Sequence, residues 1–306
     1  MGGAPFFGGP VESSGMWGWK GHDRPMLIAQ ITDIHLGFEP DNAEEKNRRR
    51  LDAVLDALID GPNRPDLLLA TGDLTENGDP ESYRQLAGAL ARCPFPVWPM
   101  VGNHDRRAPF LEAFPGAPTA DGFVQHAMVQ GGLHIILLDT LEEGRHGGGF
   151  CAGRAAWLRE RLAERAEMPT LIALHHPPSP TGIGWMDMGG QEPWVARLGD
   201  VLAEAPQVRA LLCGHVHRAI ASPWRGMTVC VCPSTAPQVA LDLSPIAPGA
   251  PDGRAMIVAE GPGYALHWWN GGDLASHFQT VQDAPVLARF DDAMRPLVDQ
   301  MMAERR

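Results

Sequence analysis

Five short apolar runs in this chain each stop at polar residues of one chemical kind. "MLIAQIT" runs into Asp33 and His35, "DLLLAT" into Asp73, and "PVWPMV" into Asn103, His104 and Asp105. "TLIALHH" closes on His175 and His176, and "VRALLCGH" leads through "GHVH" to His215 and His217. Runs of this length, rich in aliphatic and β-branched residues, read as buried strands. Between them lie segments of helical period. "NAEEKNRRRLDAVLDALID" places Leu51, Val54, Leu55 and Leu58 on one face, and "PESYRQLAGALARC" opens on Pro80 and Glu81. "GRAAWLRERLAERA" places Trp157, Leu158 and Leu162 together. Strand and helix in alternation predict a layered α/β sheet. Ligands of such sheets gather at the carboxyl ends of the strands, and every one of these polar clusters falls there. The later short strands, from "GMTVCVCPST" through "LASHFQTV", predict a second sheet packed on the first.

The polar clusters form a metal-ligand inventory. Imidazole, carboxylate and amide oxygen suit iron, manganese, zinc or cobalt. Seven residues qualify as ligands: Asp33, His35, Asp73, Asn103, His175, His215 and His217. One catalytic ion with an open position needs about three protein ligands. Seven suit two ions, and a shared carboxylate would hold two dications about 4 Å apart. Each cluster alone is weak evidence. "DIH" and "TGD" are common in surface turns, and paired histidines occur in cores. The ordered conjunction of all five is what carries weight.

Composition narrows the partners. With 306 residues, 44% hydrophobic and 20% charged, the chain is expected to fold around a sizeable core. A net charge of -12 disfavours a nucleic acid polymer, which selects basic surfaces. It permits a small anionic substrate, because bound metal supplies local positive charge. The five cysteines show no disulfide framework, and the "CVC" pair has little room to close a ring. Buried, reduced thiols in a cytoplasmic protein are expected. No apolar run is long enough for a membrane span.

Three segments are expected. Residues 1–25 form a Gly/Pro/Ser-rich flexible arm without a secretory signal pattern. Its Phe6, Phe7, Trp17 and Trp19 either lie against the body or belong to a disordered tail. Residues 26–281 form one catalytic domain. Residues 282–306 form an amphipathic helix, with Leu287, Phe290, Met294, Leu297 and Met301 at helical spacing. That helix packs on its own core or forms a homo-oligomer contact.

"DIH", "GD", "GNHD", "HHP" and "GHVH", in this order from about Met26 to Val281, resemble the ordered blocks of the calcineurin-like metallophosphoesterase superfamily. The wording "TGDLTENGDPESYRQL" and "CGHVHR" is similar to the bacterial class III cyclic-nucleotide phosphodiesterases and related glycerophosphodiesterases. The resemblance implies an α/β fold, a four-layer α/β/β/α sandwich of two mixed β-sheets flanked by helices. It implies a binuclear centre. One ion would be held by Asp33, His35 and His217, the other by Asn103, His175 and His215, with Asp73 bridging. His176 would then be a neighbouring or substrate-facing residue. Where the subgroup often carries an acid after "GNHD", this chain has Arg106 and Arg107.

The expected reaction is hydrolysis of a small phosphodiester, of cyclic nucleotide or glycerophosphodiester type, by in-line attack of a metal-bound hydroxide. The cofactors would be two divalent or mixed-valence ions. His104 would act as acid toward the leaving oxygen, with Asp105 orienting its ring. The alternatives are a phosphomonoesterase or nucleotide pyrophosphatase on the same site, and a non-catalytic binding scaffold. Pocket walls are expected from "GFEPDNAEE", "TLEEGRHGGGF" and the loop carrying Trp185, Met186 and Met188.

Overall fold

The computed structural model describes residues 6–8, 25–40, 42, 44–187 and 192–305. In chain order the elements are β1 (Met26–Ile31), α1 (Lys46–Asp60), β2 (Leu67–Thr71), α2 (Pro80–Leu90), β3 (Val97–Met100), α3 (Arg107–Ala113), β4 (His126–Gln130), β5 (Leu133–Leu138), α4 (Ala152–Glu164) and β6 (Thr170–Leu174). There follow α5 (Pro193–Ala203), β7 (Val208–Cys213), β8 (Ile220–Trp224), β9 (Met227–Val231), β10 (Gln238–Val239), β11 (Ile257–Val258), β12 (Gly263–Trp269), β13 (Leu274–Thr280) and α6 (Arg295–Ala303).

The strands form two large mixed sheets, β13-β12-β1-β2-β3 and β4-β5-β6-β7-β9-β8, and a small β10-β11 pair. The period of two along each strand creates the layers. In β2, Leu67 and Leu69 face the second sheet, while Leu68 and Ala70 face the helical layer of α1 and α2. In β6, Leu171 and Ala173 face the first sheet, while Ile172 and Leu174 face α4 and α5. Three apolar cores therefore stack as helix–sheet, sheet–sheet and sheet–helix, the expected α/β/β/α order.

The sheet–sheet core contains one polar string. Gln30 Nε2 donates to Thr71 Oγ1 at 2.8 Å and across to the Cys213 carbonyl of the other sheet at 3.0 Å. Gln30 Oε1 lies 3.0 Å from His267 Nε2, and His267 Nδ1 lies 2.7 Å from Ser276 Oγ. A neutral His267 with its proton on Nε2 satisfies every partner.

Phe6 and Phe7 pack on the body. The Phe7 amide donates to the Val97 carbonyl at 3.2 Å, and the two rings sit edge-on to Phe114 and Trp98. Trp17, Trp19 and Met188 lie outside the described residues. The C-terminal expectation needs correction, since the helix covers only Arg295–Ala303. Leu287 and Phe290 precede it and are 93% and 74% exposed. Asp291 caps the amides of Ala293 and Met294, and Pro296 opens the helix, so the local start signal overrides the longer apolar spacing.

Candidate active site

Loops at the carboxyl ends of β1, β2, β3, β6 and β7 meet at one edge of the sandwich. The backbone turns sharply there. Among the described residues, eight non-glycine residues have positive φ, and five of them are Asp33 (50°), His35 (52°), Asp73 (48°), His215 (73°) and His217 (53°). Asp and His tolerate this region better than most residues, yet each such conformation must be held in place by its surroundings. Here the loops stitch to one another. Asp33 N donates to the Gly72 carbonyl at 3.0 Å, and Ile34 N and His35 N both donate to the Asp73 carbonyl, at 2.8 and 3.0 Å. Gly214 N donates to the His175 carbonyl at 3.0 Å. In "GHVH" both histidines sit at left-handed positions of a bend after β7.

The side chains converge. Asp33 Oδ1 is 3.3 Å from His217 Nε2 and 3.9 Å from His175 Nε2. Asp73 Oδ2 is 3.2 Å from His175 Nε2 and 3.8 Å from His35 Nε2. His35 and His217 face each other Nε2 to Nε2 at 3.2 Å. Asp33, His35 and His217 present donor atoms within 4.8 Å of one another, as do Asp33, Asp73 and His175, and also His175, His176 and His215. Asp73 thus lies between the two halves of the cluster.

The imidazoles are oriented by their other nitrogens. His175 Nδ1 meets the Thr71 carbonyl at 2.9 Å, His217 Nδ1 the Pro237 carbonyl at 2.9 Å, and His35 Nδ1 the Glu76 carboxylate at 2.7 Å. An oxygen without a proton can only accept, so in the neutral ring each Nδ1 carries the hydrogen and each Nε2 turns its lone pair inward. His175 Nε2 and Asn103 Oδ1 are buried without a hydrogen-bond partner. A buried acceptor left empty is costly. Inward lone pairs, two carboxylates and an orphaned amide oxygen are what a metal centre requires, and the residues fit one.

The charges are tightly linked. Burial pushes the Asp73 carboxyl up, but His175, His35 and His104 together hold it well below the usual carboxylate range. Burial also raises Asp33, and His217 and His175 more than offset it. His175 is pulled down by burial and driven up to about 9 by Asp73 and Asp33. His215, half-buried, is lowered to about 3 by desolvation and by the neighbouring His175.

His104 lines the cleft and hydrogen-bonds through Nδ1 to the Glu76 carbonyl at 2.9 Å, which leaves Nε2 for the cleft. The Asp105 expectation is overturned. Its carboxylate accepts from Leu74 N, Thr75 N, Gly102 N and Tyr83 Oη at 2.8 to 3.3 Å, and does not hold the His104 ring. Asp105 braces the β2 and β3 loops, and Glu76 takes the orienting position. His176 is buried, bonded through Nδ1 to Thr140 Oγ1 at 2.8 Å, and does not line the main cleft. Arg107 makes a two-pronged pair with buried Asp139, at 2.8 Å for each contact, so it is not available to a phosphate.

The cleft has a volume of about 710 Å³. Beyond the donor cluster its walls include Phe38, Lys46, Glu76, His146, Trp185, Met186, Val239 and Ile257. All three expected wall loops contribute. Glu76 and His146 were not singled out from the sequence, although Glu76 stands only three residues after Asp73 and His146 sits in a glycine-rich run.

The family model for calcineurin-like phosphoesterases matches residues 26–219. The chain is 31% identical over 252 residues to the probable glycerophosphodiester phosphodiesterase GpdQ of Arcobacter nitrofigilis, covering 80% of this chain and 89% of that protein. It is 33% identical over 230 residues to the 3',5'-cyclic adenosine monophosphate phosphodiesterase CpdA of Escherichia coli, covering 72% and 82% respectively. Among solved structures, a dimetal phosphatase from Danio rerio shares the fold with a TM-score of 0.57 at 13% identity, covering 82% of this chain and 98% of that one.

Proposed function

The chain belongs to the calcineurin-like phosphoesterase family, and from that premise we propose that it is a metal-dependent phosphodiesterase acting on small diesters of cyclic nucleotide or glycerophosphodiester type. One observation carries the reading: Asp73 stands between two groups of inward-facing donors. Asp33, His35 and His217 would hold one ion. Asn103, His175 and His215 would hold the other, with Asp73 common to both. When bound, such ions supply hydroxide at neutral pH and neutralise the phosphoryl oxygens. Iron, manganese, zinc and cobalt all suit this donor set.

The chain's own residues do the rest. His104, whose Nδ1–H donates to the Glu76 carbonyl, presents Nε2 to the cleft and, as the imidazolium, passes the Nε2 proton to the leaving alkoxide and is left neutral. Glu76 holds both His35 and His104. Residues 26–281 carry the activity. All five cysteines are free, which supports a reducing, cytoplasmic setting, and no helix among the described residues is long and apolar enough to cross a membrane. The exposed apolar residues of 282–305 support self-association, which sedimentation of the full chain tests.

The deciding experiment is metal content with hydrolysis. Protein purified without chelator is expected to carry about two metals per chain and to prefer bis(p-nitrophenyl) phosphate over p-nitrophenyl phosphate. Preference for the monoester would move the assignment to a phosphatase. Failure to take up metal would remove its basis.

A further inference from the structure

Outside the donor cluster the cleft wall changes character. Phe38 is 64% exposed and Ile257 54%, and both line the cleft mouth. Large apolar side chains left open at a cleft mark a place where something docks.

Phe38 is held there deliberately. The amides on either side of it, Gly37 N and Glu39 N, donate to the two oxygens of Glu45 at 3.2 and 3.3 Å. Glu45 is only 4% exposed. A buried carboxylate is costly unless hydrogen-bonded, and this one uses both oxygens on the backbone flanking Phe38. Gly37 adopts φ 85°, and a Cβ there would fall 2.2 Å from Ser82 Oγ, so the loop has little freedom to slip. Asn47 Nδ2 ties the start of α1 to the His35 carbonyl at 2.9 Å, linking the mouth to the donor cluster.

Ile257 is fixed from another part of the chain. It pairs with Val239 in the β10-β11 ladder, reinforced by the Ala240 amide donating to the Met256 carbonyl at 2.8 Å. Val239, Trp185 and Met186 also line the cleft. Lys46 also lines the cleft and makes no side-chain hydrogen bond or ion pair among the described residues. The chain contains just two lysines, Lys20 and Lys46.

We infer that Phe38 and Ile257 clamp the planar ring of the substrate's ester group, so that the cleft selects phosphodiesters bearing a nucleobase over those bearing a polyol. The inference rests on the phosphodiesterase reading above. A heteroaromatic ring gains from both apolar faces and offers Lys46 ring nitrogens or carbonyl oxygens. A glycerol group gains nothing from Phe38 and loses hydration beside it.

The test compares 3',5'-cyclic AMP with glycerophosphoethanolamine in the wild type, Phe38→Ala, Ile257→Ala and Phe38→Trp, using the metal-loaded full chain. The wild type is expected to favour the cyclic nucleotide. Phe38→Ala should lower the cyclic AMP to glycerophosphoethanolamine ratio of kcat/KM about tenfold, mainly through KM, as expected for lost ring stacking. Ile257→Ala should act in the same direction, and Phe38→Trp should retain the preference. An equal loss on both diesters, or a wild type that prefers the glycerol diester, would overturn the clamp. A wild type that cleaves bis(p-nitrophenyl) phosphate but neither natural diester also overturns it and leaves the phosphodiesterase reading standing. Inactivity on all three takes both down. Since Phe38 and Ile257 are exposed, melting curves should show the alanine variants folded.

Discussion

His104 illustrates how one side chain's role follows from what its second nitrogen touches. Nδ1 is committed to the Glu76 carbonyl, so Nε2 alone meets the substrate. The alkoxide of a natural diester is a poor leaving group and needs that proton, whereas a nitrophenolate does not. His104→Ala is therefore expected to lose about 10²-fold or more in kcat on alkyl diesters and much less on bis(p-nitrophenyl) phosphate. Equal losses on both would remove the acid role. Asp105 shows the reverse case. It looked like the ring's orienter because it is adjacent in sequence, but successive residues need not face one another. Burial and the nearby Asp73 carboxylate push it up to about 6, even as its hydrogen bonds pull the other way.

The strand-to-loop junctions carry the site, and their packing leaves little slack. Gly102 follows β3, and a Cβ there would lie 2.3 Å from both Asp73 N and Asp73 Oδ1. Backbone cannot yield as a flexible side chain can. Gly102→Ala is expected to displace Asp73, cost about 1–3 kcal/mol in stability, and lower both bound metal and diester turnover. Elemental analysis and the diester assay on the same sample check this. Gly88→Ala in α2 is the control, because nothing lies within 4 Å of its Cβ position. It should gain about 0.5–1 kcal/mol from helix propensity and leave the metal content unchanged.

Across the sandwich, one sheet supplies Asp33, His35, Asp73 and Asn103 and the other His175, His215 and His217, so their relative placement is part of the site. The Gln30 string helps set it, linking β1 to Thr71, to Cys213 across the layer and to His267. Burial and nearby His277 lower His267 to about 4. The unfolded chain holds this proton near pH 6.5, so below that pH the unfolded state binds more protons than the native one. The contribution is fully present above pH 6.5 and is lost as pH falls from there toward about 4. Between pH 7.5 and 5 the loss should be about 2 kcal/mol. Urea unfolding should show it in the wild type, and His267→Gln should abolish that part of the pH dependence. An unchanged pH dependence in the variant would place the acid sensitivity elsewhere.

Much of this protein was legible before any coordinates. Burial of a strand and the spacing of an amphipathic helix are local properties, so β1, β2, β3, β6 and β7 and the ligand types at their ends could be read from residue order. The short pieces could not. β10 and β11 have two residues each and exist because they pair across a long loop. Nor could the partners of the polar residues be read. Glu76 reaches His35 from 41 positions away, and Asp105 meets Tyr83 from 22. Periodicity and chain chirality act within a few residues. Which hydrogen bond a buried polar group makes, and which backbone is forced left-handed to make it, depends on how two sheets and their loops pack together.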